Sequence, residues 1–421
     1  MKPDYYIRPP IWMTAPETSR LINALSSIDG DKIIALFVGG CVRDSLFDRP
    51  VNDIDIATIL SPSEVSRTLS EAGFKVLETG LEHGTVTAVL GAKYFQITTL
   101  REDKSTDGRR AKVNFTDQWS IDANRRDFTI NAIYADIYGN IYDPVGGLED
   151  IKVGRVRFVG NAQKRINEDV LRLLRFFRFY AQFSNPPPDR QAIEACKKLA
   201  YKLPNLSGER IRAETFKLLE TNDPATTLSL MSANGVLRYF LPEVKQIDRL
   251  AGLVLVENLV GSIDPLRRLA AAVKTDIEGA NTIAQRLRFS NRTTARLCSL
   301  VVKDQRIKID MSLKSRMKLM YLLGADLWRD RVLINWADDI ALGRNQEGTF
   351  SKQWKNIYKL ANTWERPVFP LKGADVLDMG MEIGPSVGYY LNNVEEWWIQ
   401  NDFLPNRNEC LLKLKGFISS D

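Results

Sequence analysis

The sequence predicts an α+β protein: a small head built on a mixed sheet, followed by a long, all-helical remainder. Three observations point there. Within 28–145, short apolar runs alternate with glycine turns, as strands and tight connections do. After "YDPVGGLEDIKVGRVRFVG" the strand signals fade. From residue 163 onward, "RINEDVLRLLRFFRFYAQF", "GERIRAETFKLLE", "DPLRRLAAAV" and "SRMKLMYLLGADLW" carry apolar residues at helical spacing.

The elements follow in order. "PETSRLINALSS", 16–27, reads as an amphipathic helix with Leu21, Ile22 and Leu25 on one face. "KIIALFVGG" is a buried strand ending in glycines, and "DIDIAT" is a second strand. "SPSEVSRTLSEAG" is a helix opened by a Ser-x-x-Glu box at Ser61 or Ser63 and stopped at Gly73. "TVTAVLGAKYFQITTL" reads as two strands joined at Gly91-Ala92. In the helical part, Asp264-Pro265 is an N-cap with a first-turn proline, and "SNPPPD" at 184–189 separates one helix from the next.

Composition narrows the function classes. A chain of 421 residues exceeds what one hydrophobic core serves, so two to four sub-domains are expected. The 44% hydrophobic and 26% charged fractions are those of an ordinary soluble protein. No apolar run approaches the roughly 18 residues of a membrane span, so no membrane partner is expected. The opening "MKPDYYIRPPIW" lacks a signal-peptide core, and a cytoplasmic location is the expectation. Cys41, Cys196, Cys298 and Cys410 are scattered without a C-x-x-C pair, which fits free thiols. The single histidine, His83, excludes zincins and histidine-dependent phosphohydrolase sites. Any metal must be held mainly by oxygens, which favours magnesium or manganese. The net charge of +6 suits a polyanionic partner without requiring one.

Within the head, Asp53 and Asp55 stand two residues apart in a strand and project to one face, while Ile54 and Ile56 take the other. Two adjacent carboxylates repel unless a cation sits between them, and paired metal ions bridging to phosphate oxygens would supply it. The bland alternative is a polar strand edge. Gly39-Gly40 weighs against that alternative, because glycines after a strand let backbone N–H groups approach a phosphate closely. Arg43 follows within a turn and offers a bidentate contact.

"VGGCVRDSLFDRPVNDIDIAT" resembles the signature of class II tRNA nucleotidyltransferases, the CCA-adding enzymes and their bacterial poly(A) polymerase relatives, within the polymerase β-like nucleotidyltransferase superfamily. The resemblance continues through "TTLREDKSTDGRRAKVNF", "RRDFTINAIYAD", "NEDVLRLLRFFRF", "LSGERIRAETFKLL" and the C-terminal "LKGADVLDMGMEIGPSVGYYLNNVEEWW". It implies a nucleotidyltransferase head over 1–147, an all-α neck over 148–220 that recognises the base, and a helical body and tail over 221–421 that bind tRNA.

The resemblance also implies residue roles. Asp53 and Asp55 are catalytic and hold two Mg2+ ions, with Mn2+ an alternative. Gly39, Gly40, Arg43 and Arg126 meet the nucleotide's phosphates, and Asp127 its ribose. Asp169 and Arg172 form a protein template that selects C or A and rejects G and U, while Arg175 and Arg178 neutralise phosphates or brace that template. Spacing alone sets Asp169, Arg172, Arg175 and Arg178 winding around one helix, since each step of three rotates by about −60°. An Asp and an Arg one turn apart offer an acceptor and donors suited to a base edge, with a salt bridge on a solvated helix as the alternative, whereas without the resemblance "RRDFTINA" reads as a charged loop entering the strand "TINAIYAD".

The charged segment 101–120 resembles a loop that helps the switch from C to A, with a surface hairpin as the bland alternative. Gln96 departs from the family, whose members commonly carry a glutamate there, and this thins the metal ligand set. His83 reads as structural. Six of the eight tryptophans follow residue 320, which fits core packing or stacking on RNA. "GPSVG" at 384–388 could open a helix toward a tRNA phosphate.

The expectation is therefore template-independent addition of C, C and A to the tRNA acceptor end from CTP and ATP. An A-adding-only enzyme or a poly(A) polymerase shares the head and is the alternative. An RNA-binding protein with a degenerate head, or a nucleotide sensor, fits poorly with intact Asp53, Asp55, Asp169 and Arg172. Oligomeric state has no signature in the sequence.

Overall fold

The computed structural model describes all residues except 27–31, 82–83, 108–109, 303–305, 345–348 and 420–421, and describes the side chains at 79, 103–113 and 349 no further. The chain forms two compact units, Met1–Pro242 and Glu243–Asp421.

The first unit is built on an eight-stranded mixed sheet in the order β1-β10-β9-β2-β3-β6-β5-β4. Its strands are β1 Tyr5–Tyr6, β2 Ala35–Val38, β3 Ile54–Thr58, β4 Lys75–Gly80, β5 Thr85–Leu90, β6 Lys93–Thr99, β9 Tyr134–Ala135 and β10 Asn140–Tyr142. Only β3 and β6 pair in parallel. The charged segment forms a separate hairpin, β7 Arg101–Asp107 with β8 Arg110–Phe115.

Strand alternation divides the core. Ala35, Phe37, Ile54 and Ile56 face one cluster with Leu21, Ile22, Leu25, Val65 and Leu69 from the flanking helices. Leu36, Val38 and Ala57 face the other, with Trp119, Ala123 and Tyr134. β2 is buried on both faces and so reads as one continuous apolar run. The helix Pro62–Glu71 starts at Ser61, whose hydroxyl and Glu64 form a reciprocal capping box.

Where "TINAIYAD" suggests a long strand, Thr129–Asn131 is a 3-10 turn and β9 keeps two residues. A Cβ on Gly147 would lie 2.3 Å from the Thr129 carbonyl oxygen, so this turn packs against a glycine that no other residue replaces. Helices then follow at Gly147–Val153, Ala162–Glu168, Leu171–Phe183, Arg190–Leu199, Gly208–Leu219 and Pro224–Ala233. The expected neck is continuous with the head. Pro224–Ala233 packs on Leu171–Phe183, and the first compact unit runs on to Pro242.

In the second unit, Asp264 caps the helix Pro265–Ala272 through the Arg267 N–H at 2.7 Å, with Pro265 in the first turn as expected. The long helix Leu313–Ala341 is interrupted at Gly324 (φ 76°, ψ 163°), where a single period was expected. Tyr321, before the interruption, joins a cluster with Trp398 and Cys410, while Trp328 and Trp336, after it, join one with Trp354. Core packing thus accounts for four of the six late tryptophans, and Trp364 and Trp397 are half-buried. No helix among the described residues is long and apolar enough to cross a membrane.

Candidate active site

The site begins where β2 runs into the helix Gly40–Leu46. Gly39 bridges them at φ 77° and ψ −128°, a conformation open to glycine. A Cβ built there would meet Asp55 Oδ2 at 3.8 Å and Arg126 Nη1 at 3.9 Å. The glycine backbone, a carboxylate and a guanidinium therefore converge on one spot. Asp53, exposed, immediately precedes β3, and Asp55, half-buried, lies on the sheet face opposite Ile54 and Ile56.

Burial raises the Asp55 carboxyl above its ordinary range, Asp53 adds to the rise, and Arg126 and Arg43 oppose it. A bound cation would oppose that rise. Gln96 lies directly opposite Asp55 on β6, so the neighbouring-strand position holds a neutral amide. Among the described residues no cluster of three or more His, Cys, Asp or Glu could hold a metal ion. The neighbouring Asp53 and Asp55 carboxylates are hard oxygen donors, a set that fits a divalent cation preferring oxygen ligands.

Arg126 is oriented from behind. Its Nε and Nη2 donate to Asp122 Oδ2 at 3.1 and 2.8 Å, and the Tyr134 hydroxyl donates to the same oxygen at 2.8 Å. Burial pushes the Asp122 carboxyl up, but Arg126 and Arg125 outweigh it and hold it below its ordinary range. The ionised pair fixes Arg126 with its Nη1 side toward Gly39 and Asp55.

Arg43 points elsewhere. Its Nη1 donates to Asn131 Oδ1 at 2.6 Å, its Nε to Asp44 at 2.9 Å, and its guanidinium stacks 4.5 Å from the Phe183 ring centroid. Asn131 in turn donates to Asp127 Oδ1 at 3.0 Å, an oxygen that also accepts from the Phe128 N–H at 2.9 Å. Arg175 takes the other oxygen, with Nε at 2.8 Å and Nη2 at 2.6 Å. These four donors occupy the carboxylate's four lone-pair sites, leaving none for a ribose hydroxyl. Burial favours the protonated Asp127, but Arg175 and Asn131 prevail and draw its carboxyl down to about 2.

The base-reading series departs from its expected geometry. Asp169 is not helical: at φ −150° it ends the helix Ala162–Glu168, and Leu171–Phe183 begins two residues later. The break has a local cause, since Asp169 Oδ1 accepts the Leu171 N–H at 3.1 Å, a side-chain bond that competes with helix continuation. Asp169 Oδ2 accepts Arg210 Nη2 at 2.8 Å. Arg172 Nη1 donates to Glu168 Oε2 at 2.6 Å, and its Nη2 to the Arg125 carbonyl at 3.2 Å. Arg178, buried, donates to Glu214 Oε2 at 2.6 Å, and Arg175 lies 3.8 Å from the other Glu214 oxygen. Arg175 and Arg178 are thus engaged in bracing contacts.

Several supporting residues carry no role in the sequence reading: Asp122, Asn131, Glu168, Arg210 and Glu214. Two had a signal, since Asp122 precedes Arg126 and Glu168 precedes Arg172 by one helical turn. Arg210 and Glu214 sit in "LSGERIRAETFKLL", but their partners lie far away in sequence. His83 lies outside the described residues, as do Gly108 and Arg109 of the charged segment. "GPSVG" does open a helix, Pro385–Gln400. A cavity of about 530 Å³ in the second unit carries the basic residues Lys245, Arg249, Lys274, Arg306 and Arg331 together with Asp248, Asp338 and apolar side chains.

A glycine-ended strand, a carboxylate pair and an oriented arginine define a nucleotidyltransferase head, a metal-dependent class. The Poly A polymerase head domain family matches 35–157, and a family described as the probable RNA and SrmB-binding site of polymerase A matches 188–247. The chain belongs to the CCA tRNA nucleotidyltransferase family. It is 32% identical over 413 residues to the mitochondrial CCA tRNA nucleotidyltransferase 1 of Danio rerio, covering 94% of this chain and 90% of that one. The Homo sapiens counterpart is 32% identical over 385 residues, covering 90% and 85%. The crystal structure of the Bacillus stearothermophilus CCA-adding enzyme in complex with CTP superposes with a TM-score of 0.72 at 25% identity, covering 96% of this chain and 98% of that one.

Proposed function

We infer that the protein adds C, C and A to the 3′ end of tRNA from CTP and ATP, without a nucleic-acid template. The observation that carries this reading is the pairing of an acceptor and a donor, Asp169 and Arg172, each held by its own ionic partner. Cytosine and adenine both present an amino donor beside a ring-nitrogen acceptor. A carboxylate and a guanidinium match that order. Uracil and guanine present a carbonyl acceptor beside an N–H donor and would meet like against like.

At the head, Gly39 and Gly40 bring backbone N–H groups to the triphosphate, and Arg126 offsets charge that develops on the departing pyrophosphate. Asp53 and Asp55 would hold Mg2+, or Mn2+, which when bound would lower the pKa of the RNA 3′-hydroxyl and polarise the α-phosphate. Asp127, expected at the ribose, is read instead as the anchor of Arg175, because its lone-pair sites are filled from within. Arg43 likewise ties the Gly40–Leu46 helix to Leu171–Phe183. The basic side chains of the second unit's cavity suit phosphates of the tRNA, contacted by charge rather than by sequence. The cytoplasm, where tRNA is matured, is the proposed compartment.

The test is incubation with tRNA ending at the discriminator base, at CC or at CCA, with labelled CTP or ATP. CTP should enter the first, ATP the second and neither the third. ATP entering CC-ended tRNA with no CTP entering discriminator-ended tRNA would mark an A-adding enzyme, and long A tails a poly(A) polymerase.

A further inference from the structure

The motif "LSGERIRAETFKLL" has no part in the chemistry described above, yet it forms a helix, Gly208–Leu219, that backs the base-reading residues. Arg210 and Glu214, one turn apart on that helix, reach the two ends of the series. Arg210 Nη2 donates to Asp169 Oδ2 at 2.8 Å, and Glu214 accepts from Arg178 at 2.6 Å. We propose that Arg210 is a specificity-determining positioning residue, which orients the Asp169 carboxylate so that it accepts from amino-bearing bases and discriminates against oxo-bearing ones. The proposal rests on the reading of Asp169 as half of the protein template.

Asp169 sits in the extended break between two helices, where its own backbone leaves the side chain several rotamers. Two donors restrict it: the Leu171 N–H on Oδ1 at 3.1 Å and Arg210 on Oδ2 at 2.8 Å. Each oxygen has two lone-pair sites, so one on each remains and their directions are set by the two bonds already made. The Leu171 bond alone leaves the carboxylate free to pivot about Oδ1, and the Arg210 bond removes that freedom. The Arg210 and Asp169 side chains are 22% and 24% exposed, open enough for a base to reach the remaining lone pairs.

The experiment uses the full chain with tRNA ending at the discriminator base, comparing single-turnover incorporation of CTP and UTP. Wild type, Arg210→Ala, Arg210→Lys and Asp169→Ala are measured, with melting temperature and tRNA affinity as controls. Arg210→Ala should lower the preference for CTP over UTP by about 10- to 100-fold, the scale of one charge-assisted hydrogen bond, at unchanged tRNA affinity. Arg210→Lys should restore part of it. If the alanine protein does not fold, Arg210→Gln gives the same reading without the charge. An unchanged CTP-to-UTP ratio in Arg210→Ala, or equal losses for both nucleotides, overturns the proposal provided Asp169→Ala does lose selectivity. If Asp169→Ala keeps the wild-type ratio, the template reading itself falls.

Discussion

The Asp127 carboxylate receives both Nε and Nη2 of Arg175, 48 residues away in the chain, at 2.8 and 2.6 Å. This fork joins the segment that follows Arg126 to the helix that carries Arg172. With Asn131 and Arg43 it forms a continuous chain of hydrogen bonds from the Gly40–Leu46 helix to Leu171–Phe183.

Replacing Asp127 by Asn should therefore loosen the joint rather than remove a substrate contact. Arg175 would lose its main counter-charge at a mostly buried site, at a cost of about 2–3 kcal/mol. Because folding draws the Asp127 carboxyl down to about 2, its contribution is complete above the unfolded value near 4, an ordinary carboxylate figure, and fades as pH falls toward 2. Urea denaturation of wild type and variant should show a gap at pH 7 that narrows below about pH 4.

Asp55 behaves in the opposite sense. Its carboxyl is raised, so keeping it ionised at neutral pH costs the metal-free protein stability. Asp55→Asn should melt no lower than wild type in chelator, yet transfer nucleotides roughly a hundred- to a thousandfold more slowly. Adding Mg2+ should raise the melting temperature of wild type and leave that of the variant unmoved. Full activity in the variant would remove Asp55 from the metal site.

Gly39 tests the approach of backbone to phosphate. At φ 77° and ψ −128° an alanine there is strained by about 1–3 kcal/mol, and its methyl group points at Asp55 and Arg126. Gly39→Ala should raise the KM for CTP and ATP alike, with tRNA affinity retained. Nucleotide titrations by isothermal calorimetry check this directly.

Glu168 holds Arg172 at 2.6 Å, so Glu168→Gln should weaken CTP and ATP binding by about tenfold through a looser guanidinium. Incorporation kinetics on CC-ended tRNA would measure the ATP effect separately from that on CTP.

Much of the head was legible because its logic is local. Strand alternation put Asp55 on the face opposite Ile54 and Ile56, and Gly39 announced its own backbone geometry. The opening box at Ser61 and the Asp264-Pro265 cap are likewise short-range signals. The departures are long-range or competitive. Asp169 leaves the helix because its side chain caps Leu171, a bond that periodicity does not register. Asp127 turns inward because Arg175 and Asn131 converge on it from elsewhere. Gly324 breaks a helix whose apolar pattern runs on through it, since the pattern records burial and not backbone angle. The partners Arg210 and Glu214 lie 41 and 36 residues from Asp169 and Arg178, beyond any local rule.

The central claim is that protein side chains, not a nucleic-acid strand, dictate both the identity and the number of added nucleotides. Its most direct test is sequencing of tRNA 3′ ends after reaction of discriminator-ended tRNA with all four nucleoside triphosphates at equal concentration. The expected ends are C, C and A with nothing beyond. Runs of A, or U and G mixed among the added residues in the wild-type reaction, would contradict it.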